Sequence, residues 1–333
     1  MQVCVATFDG ANVVVVAPHP DDESLATGGL IQTVLARGAN VSVILLTDGD
    51  RNPWPQRVIE RRLRIDTDAR ARWGSRRRAE AKRALAILGV NASAIHFLGW
   101  PDMFLTARLM SGAWEATREL AGLFTRLFPA TPASSLLVIP ALSDRHPDHS
   151  AAHVLVELAL AQAELAPHTL GYVVHGRAHS PATGLRVQGR SRLQKLAAVE
   201  QHSTQLVLSR RRMRKYAERP ERFTLERRSP GTDLVSRHVL FWDAGAISLR
   251  LSRLLVASNS GAWALALSES EQSISTNPAA SDQLTVVRRG RVLTLELPAS
   301  LRTAGPIYVK LATTIDSPWI YDRWGWQRLD ASR

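Results

Sequence analysis

At 333 residues and 36.7 kDa the chain has room for one large domain plus a small one, and 45% apolar with 22% charged residues describes a globular protein with an ample core. A single cysteine, Cys4, excludes an internal disulfide and any Cys-based zinc site, so a metal must be held by His, Asp or Glu. The formal charge of +12 calls for an acidic partner such as nucleic acid, anionic lipid headgroups or a phosphorylated substrate.

That charge is uneven. Arg57 to Arg83 holds eleven basic and four acidic residues, and Arg210 to Arg237 holds ten and four. The last 93 residues are nearly neutral, with ten and eight. The first apolar run, Val13 to Ala17, is too short for a membrane span; Asp9 and no Lys or Arg precede it, so it does not read as a secretory signal. A cytoplasmic protein with no transmembrane segment is expected.

Asn12 to Ala17 reads as a strand buried on both faces. Pro18 to Glu23 interrupt it, and Ser24 to Arg37 follows as a helix with Leu25, Leu30, Ile31, Val34 and Leu35 on its apolar stripe. Val41 to Thr47 is a second buried strand, ended by the turn Asp48-Gly49-Asp50. Glu60 to Leu88 is helix-like and very basic, broken or kinked near Gly74 and closed by Gly89. Ala94 to Leu98, Ser135 to Pro140 and Leu170 to His175 are further strands; Ala107 to Leu127, Ser150 to Leu165 and Arg192 to Gln201 are helices.

The alternation predicts an α/β fold, a Rossmann-like mostly parallel sheet flanked by helices. After about Pro230 only short strands remain: Ala246 to Ala257, Ala262 to Leu267, Gln283 to Arg288, Val292 to Leu297 and Ile307 to Leu311. The expected division is therefore 1–230 as the α/β domain and 231–333 as a small C-terminal β-rich module.

Two segments carry chemistry. Pro18-His19-Pro20-Asp21-Asp22-Glu23 follows the first strand, where ligands bind in open parallel sheets. One imidazole and three carboxylates in five residues are costly unless neutralised, and a divalent cation does this. Ser143-Asp144-Arg145-His146-Pro147-Asp148-His149 follows the Ser135 to Pro140 strand and adds two imidazoles and two carboxylates at an equivalent sheet edge. A metal held by two His and one Asp, with positions left for water, is a catalytic rather than a structural zinc arrangement. One such acidic segment alone could simply cap a helix; two at the ends of two buried strands argue against that.

These segments resemble the paired HPDDE and HPDH signatures of the LmbE-like, or PIG-L, family of zinc-dependent N-acetylglucosaminyl deacetylases. Thr47-Asp48-Gly49, Arg77-x-x-Glu80, Leu88-Gly89-Val90, Leu98 to Asp102, Val173 to Gly176 and Lys195 to Gln205 resemble its other landmarks. The similarity covers about residues 10 to 225. It implies that His19, Asp22 and His149 hold one zinc, or a similar divalent ion, and that Asp21 is the general base of a metal-dependent amide hydrolase. It also implies that a cationic His146 stabilises the oxyanion, that Asp148 orients an imidazole, and that Asp48, Arg77 and Asp102 line a sugar cleft. Glu23 is expected to cap the helix or support His19. His153, four residues after His149, is a weaker metal candidate, and no role is assigned to His175 or His202.

The implied substrate is an N-acetylated amino sugar in a glycoconjugate, releasing acetate. The two arginine-rich stretches point to an anionic or lipid-linked one, with peripheral contact at the inner membrane surface. Another acyl-amino compound could be cleaved by the same zinc. A nucleic-acid-binding protein would use the arginines differently, but no interleaved aromatics or zinc-finger spacing accompany them, and no nucleic acid partner is expected. A nucleotide-binding enzyme would need a glycine-rich loop where His-Pro-Asp-Asp-Glu stands. Composition leaves the oligomeric state open.

Overall fold

A computed structural model describes residues 9–128, 135–176, 184–226 and, beyond them, a set of strands between 239 and 329. In chain order these are β1 (Asn12–Ala17), α1 (Asp22–Leu35), β2 (Asn40–Thr47), α2 (Pro53–Glu60), α3 (Thr67–Leu88), β3 (Ile95–Trp100), α4 (Leu105–Leu127) and β4 (Ser135–Pro140). Then come α5 (Pro147–Gln162), β5 (His168–Tyr172), β6 (Gly184–Val187), α6 (Arg192–Glu200), α7 (Ser203–Glu218) and β7 (Glu221–Glu226).

Seven strands form one sheet in the order β3-β2-β1-β4-β5-β7-β6. The first five are parallel, and β7 runs antiparallel to β5 and to β6. This is a Rossmann-like α/β fold. The chain winds outward from β1 through β2 to β3, then returns to β4 on the other side of β1. That reversal makes the β1–β4 crevice the switch point where such sheets bind ligands.

Alternation along β1 divides the core in two. Val13, Val15 and Ala17 pack with α1, α3 and α6 on one face. Val14 and Val16 pack with Ile44, Leu46 and the apolar sides of α4 and α5 on the other. Eight further strands follow: β8 (Val239–Asp243), β9 (Ala246–Arg250), β10 (Ala262–Ser268), β11 (Ile274–Thr276), β12 (Thr285–Arg289), β13 (Val292–Glu296), β14 (Ile307–Thr313) and β15 (Trp326–Leu329). They make two antiparallel four-stranded sheets, β12-β13-β9-β8 and β11-β10-β14-β15. Tyr308 and Trp326 are buried in the core on the α4–α5 side. The part of the expected Ala246 to Ala257 strand beyond Arg250 lies outside the described residues.

Two sequence expectations are corrected. The basic stretch from Glu60 is not one helix kinked at Gly74: the break falls at residues 61–66, where Arg61 adopts a left-handed conformation. Asp66 then restarts the chain by accepting the Ala69 N–H at 2.7 Å, and α3 runs unbroken through Gly74. Gly74 is there for contact, since a Cβ on it would meet Asp48 Cβ at 3.0 Å. The helix after β4 begins at Pro147 rather than Ser150, which puts Asp148 and His149 in its first turn. Helix α7 and the β6–β7 pair were not anticipated, because the arginine runs mask the apolar pattern there.

A close approach ties α1 to the loop before α6. A Cβ on Gly189 would lie 2.6 Å from Gly29 Cα, which is backbone and cannot swing aside. Gly189→Ala is expected to lower stability by about 1–3 kcal/mol through overpacking, read as a lower urea midpoint at unchanged m-value.

Candidate active site

The loop after β1 is stitched to the end of β2, as Thr47 donates to Pro18 O from both its N–H (3.0 Å) and its hydroxyl (2.8 Å). Asp21 then takes a φ of 143°, a region strained for any residue with a side chain. Glu23 holds it there by accepting the Asp21 N–H at 2.9 Å, while Asp21 O accepts from Ser24 N and Leu25 N at the start of α1. The strain separates two adjacent carboxylates. Asp22 turns inward and its side chain is 2% exposed, whereas that of Asp21 remains 15% exposed, 3.3 Å from the Arg77 guanidinium.

Asp22 Oδ2 lies 3.2 Å from His19 Nδ1 and 3.1 Å from His149 Nε2, so the two loops meet at one carboxylate oxygen. Behind His149, Asp144 accepts from His149 Nδ1 at 3.1 Å and from Val174 N and His175 N at 2.7 and 3.1 Å. Its other oxygen takes the His146 N–H at 3.0 Å. Behind His19, Nε2 faces Asp102 Oδ1 at 3.1 Å and Asp148 Oδ2 at 3.2 Å. The ring centroids of His19, His146, His149 and His175 lie 4.7 to 5.3 Å apart in their contacting pairs.

The electrostatics follow from crowding in a dry space. Burial pushes Asp21 up to about 6, against the pull of Arg77. Burial also opposes charge on Asp22, but His149 and His19 outweigh it and hold the carboxyl well below its usual range. For His149, burial is overcome by Asp22 and Asp144, which raise it to about 10. His175 is lowered to about 4 by burial and the neighbouring His149.

The donor set fits a metal ion. His149 is fully buried, and Asp144 takes its Nδ1 proton, which aims the Nε2 lone pair at Asp22 Oδ2. That Nε2 makes no hydrogen bond despite the 3.1 Å separation. Two acceptors face one another there, so a cation or an extra proton has to lie between them. Overlapping groups able to hold a metal include His19 with His146 and His149, Asp22 with His149 and His175, and His19 with Asp102 and Asp148.

Residues 14–160 match the family described as GlcNAc-PI de-N-acetylase, PIG-L. The matched stretch is 147 of the 333 residues and runs from β1 into α5. A protein of Mycobacterium sp. strain KMS named 1D-myo-inositol 2-acetamido-2-deoxy-alpha-D-glucopyranoside deacetylase is 34% identical over 155 residues, which is 44% of this chain and 49% of that one. The protein of the same name from Corynebacterium glutamicum strain R is 32% identical over 169 residues, 46% and 54% of the two chains. The chain thus spans about half the length of the curated relatives it matches. Among solved structures, N,N'-diacetylchitobiose deacetylase from Pyrococcus horikoshii superposes with a TM-score of 0.49 at 21% identity, over 68% of this chain and 90% of that one.

Within and just beyond the matched stretch, the residues singled out from sequence fall in three groups. His19, Asp22, His146, Asp148 and His149 converge, with Asp21 at the exposed edge. Asp102 joins them against His19 and also accepts the Arg51 N–H at 2.8 Å. Arg77 and Asp48 stand back. Arg77 is buried and donates to Gly49 O and Pro20 O at 2.7 and 2.5 Å, and Asp48 pairs with Arg78.

Glu23 supports Asp21 and His202, not His19; its Oε1 lies 3.1 Å from His202 Nε2. Asp148 reaches His19, and its own N–H donates to His146 Nδ1 at 3.2 Å. His146 is therefore a ring whose Nδ1 accepts, with its proton on Nε2, rather than the imidazolium expected. Burial and the surrounding imidazoles hold it well below its usual range. His153 turns to the Pro140 carbonyl at 3.0 Å.

Sequence reasoning missed Asp144 and His175. The first lies in the same quoted segment, and the second follows β5, the next strand in the sheet. Asp144→Ala would leave three backbone N–H groups and one imidazole without their acceptor. It is expected to lower the unfolding free energy by at least about 2 kcal/mol in urea titration.

Proposed function

We propose that the chain is a zinc-dependent hydrolase that cleaves the acetamide of an N-acetylated amino sugar in a glycoconjugate, releasing acetate and a free amine. In this reading residues 1–230 are the hydrolase unit and 231–333 a β-rich addition. The observation that carries the proposal is the split between two adjacent carboxylates. Asp22 is turned inward to share one oxygen between His19 and His149, while strained Asp21 is left accessible beside them. The names of the matched family and of the mycobacterial and corynebacterial relatives support the choice of amide and sugar.

His19, Asp22 and His149 would hold the zinc, which when bound supplies Lewis-acid polarisation of the amide carbonyl and of water. Asp21, raised to about 6, takes the proton of the attacking water and returns it to the departing nitrogen. Arg77, 3.3 Å from Asp21, keeps that carboxylate from drifting higher and fixes both flanking loops through Pro20 and Gly49. His146, a neutral ring with its proton on Nε2, donates to the developing oxyanion. Asp144 and Asp148 fix the ring orientations of His149 and His19. Asp102 and Asp48, which the resemblance assigned to a sugar cleft, are engaged by His19 and the Arg51 N–H and by Arg78, and no sugar contact is assigned to them.

A screen for acetate release from inositol-linked, lipid-linked and nucleotide-linked N-acetylglucosamine tests the reading. Metal-loaded protein that released acetate from none of them would overturn it. Chelation should abolish the activity, zinc should restore it, and elemental analysis should find about one zinc per chain. Asp21→Asn is expected to keep the metal and lose roughly 10²–10⁴-fold in kcat. Asp22→Asn should instead weaken metal binding, measured by competition with a chromogenic chelator; the reverse pattern would exchange the two roles.

A further inference from the structure

Five large apolar side chains that stand out to solvent fall on two neighbouring segments. Trp54, Val58 and Leu63 belong to α2 and the turn after it, and Val207 and Leu208 to α7. Leu63 is 87% exposed and Trp54 60%. Helix α2 lies against α7, so the two segments are neighbours on the surface. Residues 51–64 and 207–219 together carry eleven Arg and Lys against two Glu. Arg61, Arg62, Arg64 and Arg211 among them are exposed.

The backbone presents these groups rather than folding them in. Arg61 leaves α2 in a left-handed conformation just before Leu63, and α7 departs from helical geometry at Ser209 (φ −142°), just after Leu208. An open hollow at that kink is lined by Leu208, Ser209, Arg210, Arg211, Arg212 and Lys215.

We infer that this α2–α7 face docks on the surface of an anionic lipid bilayer. Aliphatic side chains set among long cationic ones match the two layers of a membrane interface: the apolar groups enter the acyl boundary while the arginine stems lie alongside and their heads meet lipid phosphates. Nucleic acid would use the same charge but reads bases by aromatic stacking. This face offers one exposed aromatic ring, Trp54, over which Arg57 already sits at 5.1 Å, while Tyr216 is half-buried and donates to Val174 O. Among the described residues no helix is long and apolar enough to cross a membrane, so the contact is with the surface.

The face also borders the candidate active site. Arg51, whose N–H is held by Asp102 beside His19, leads through Asn52 into α2. Docking would set the β1–β4 crevice close to the lipid headgroups. The inference stands on the surface itself and does not depend on which bond the site cleaves.

The test is flotation of the full chain with vesicles of phosphatidylcholine alone or of phosphatidylcholine mixed with phosphatidylglycerol. The protein should float with the mixed vesicles only and be released by added salt, because the headgroup attraction is screened. Arg61→Glu, Arg62→Glu and Arg211→Glu combined should weaken binding by about a hundredfold, at about fivefold per residue. Leu63→Asp with Leu208→Asp should also release the protein, although every arginine remains. Thermal melts check that both variants fold, and the wild-type comparison decides the matter without them. Equal capture by both vesicle types, no capture by the mixed ones, or capture by duplex DNA with the vesicles left bare would each overturn the inference.

Discussion

One oxygen atom, Asp22 Oδ2, lies within 3.2 Å of two imidazole nitrogens that arrive from different strands, and the site is arranged around that meeting. Oppositely charged or polarised groups attract strongly where water is scarce, but the same dryness makes an unmatched charge very expensive. The surrounding carboxylates therefore have no freedom to wander. Asp144 is filled by four donors, and Asp148 by His19 and the Met103 and Leu105 N–H groups. Each satisfied acceptor fixes a ring, and each fixed ring aims a nitrogen inward. Metal affinity, if measured, should reflect this outer layer as much as the ligands themselves.

The sheet makes the meeting possible. Parallel β1 and β4 are direct neighbours, so loops more than a hundred residues apart in sequence leave the same edge side by side. Strain at Asp21 and the Arg77 clamp are then local devices for giving two consecutive carboxylates different surroundings. The cost of the clamp is that Arg77, an attractive partner for an anionic substrate when seen as a sequence letter, is consumed by the protein's own carbonyls.

What could be read without coordinates follows from the range of the interactions concerned. Continuous β-branched runs such as Val13 to Ala17 announce buried parallel strands because burial on both faces leaves no room for polar residues. The two His-Pro-Asp clusters were legible because so many charged side chains in so few residues have few inexpensive explanations. Partnerships were not legible where they depend on rotamers and long-range placement. Nothing in the letters says that Asp148 would serve His19, that Glu23 would accept the Asp21 N–H and face His202, or that His175 would complete the ring of imidazoles. Helix α7 escaped for a different reason. Its arginines break the hydrophobic stripe, and its place is set by packing, with Met213 and Ala217 buried and Glu80 of α3 accepting from Thr204.

Tyr308 and Trp326 sit on strands far beyond the catalytic signatures, yet they complete the apolar layer over α4 and α5, and α5 is the helix whose first turn delivers His149. The distal strands thus act as a keel for the helix that carries His149. A change of volume at either aromatic therefore alters the apolar layer behind the helix that carries His149, so substitutions far along the chain are coupled to the site through packing alone.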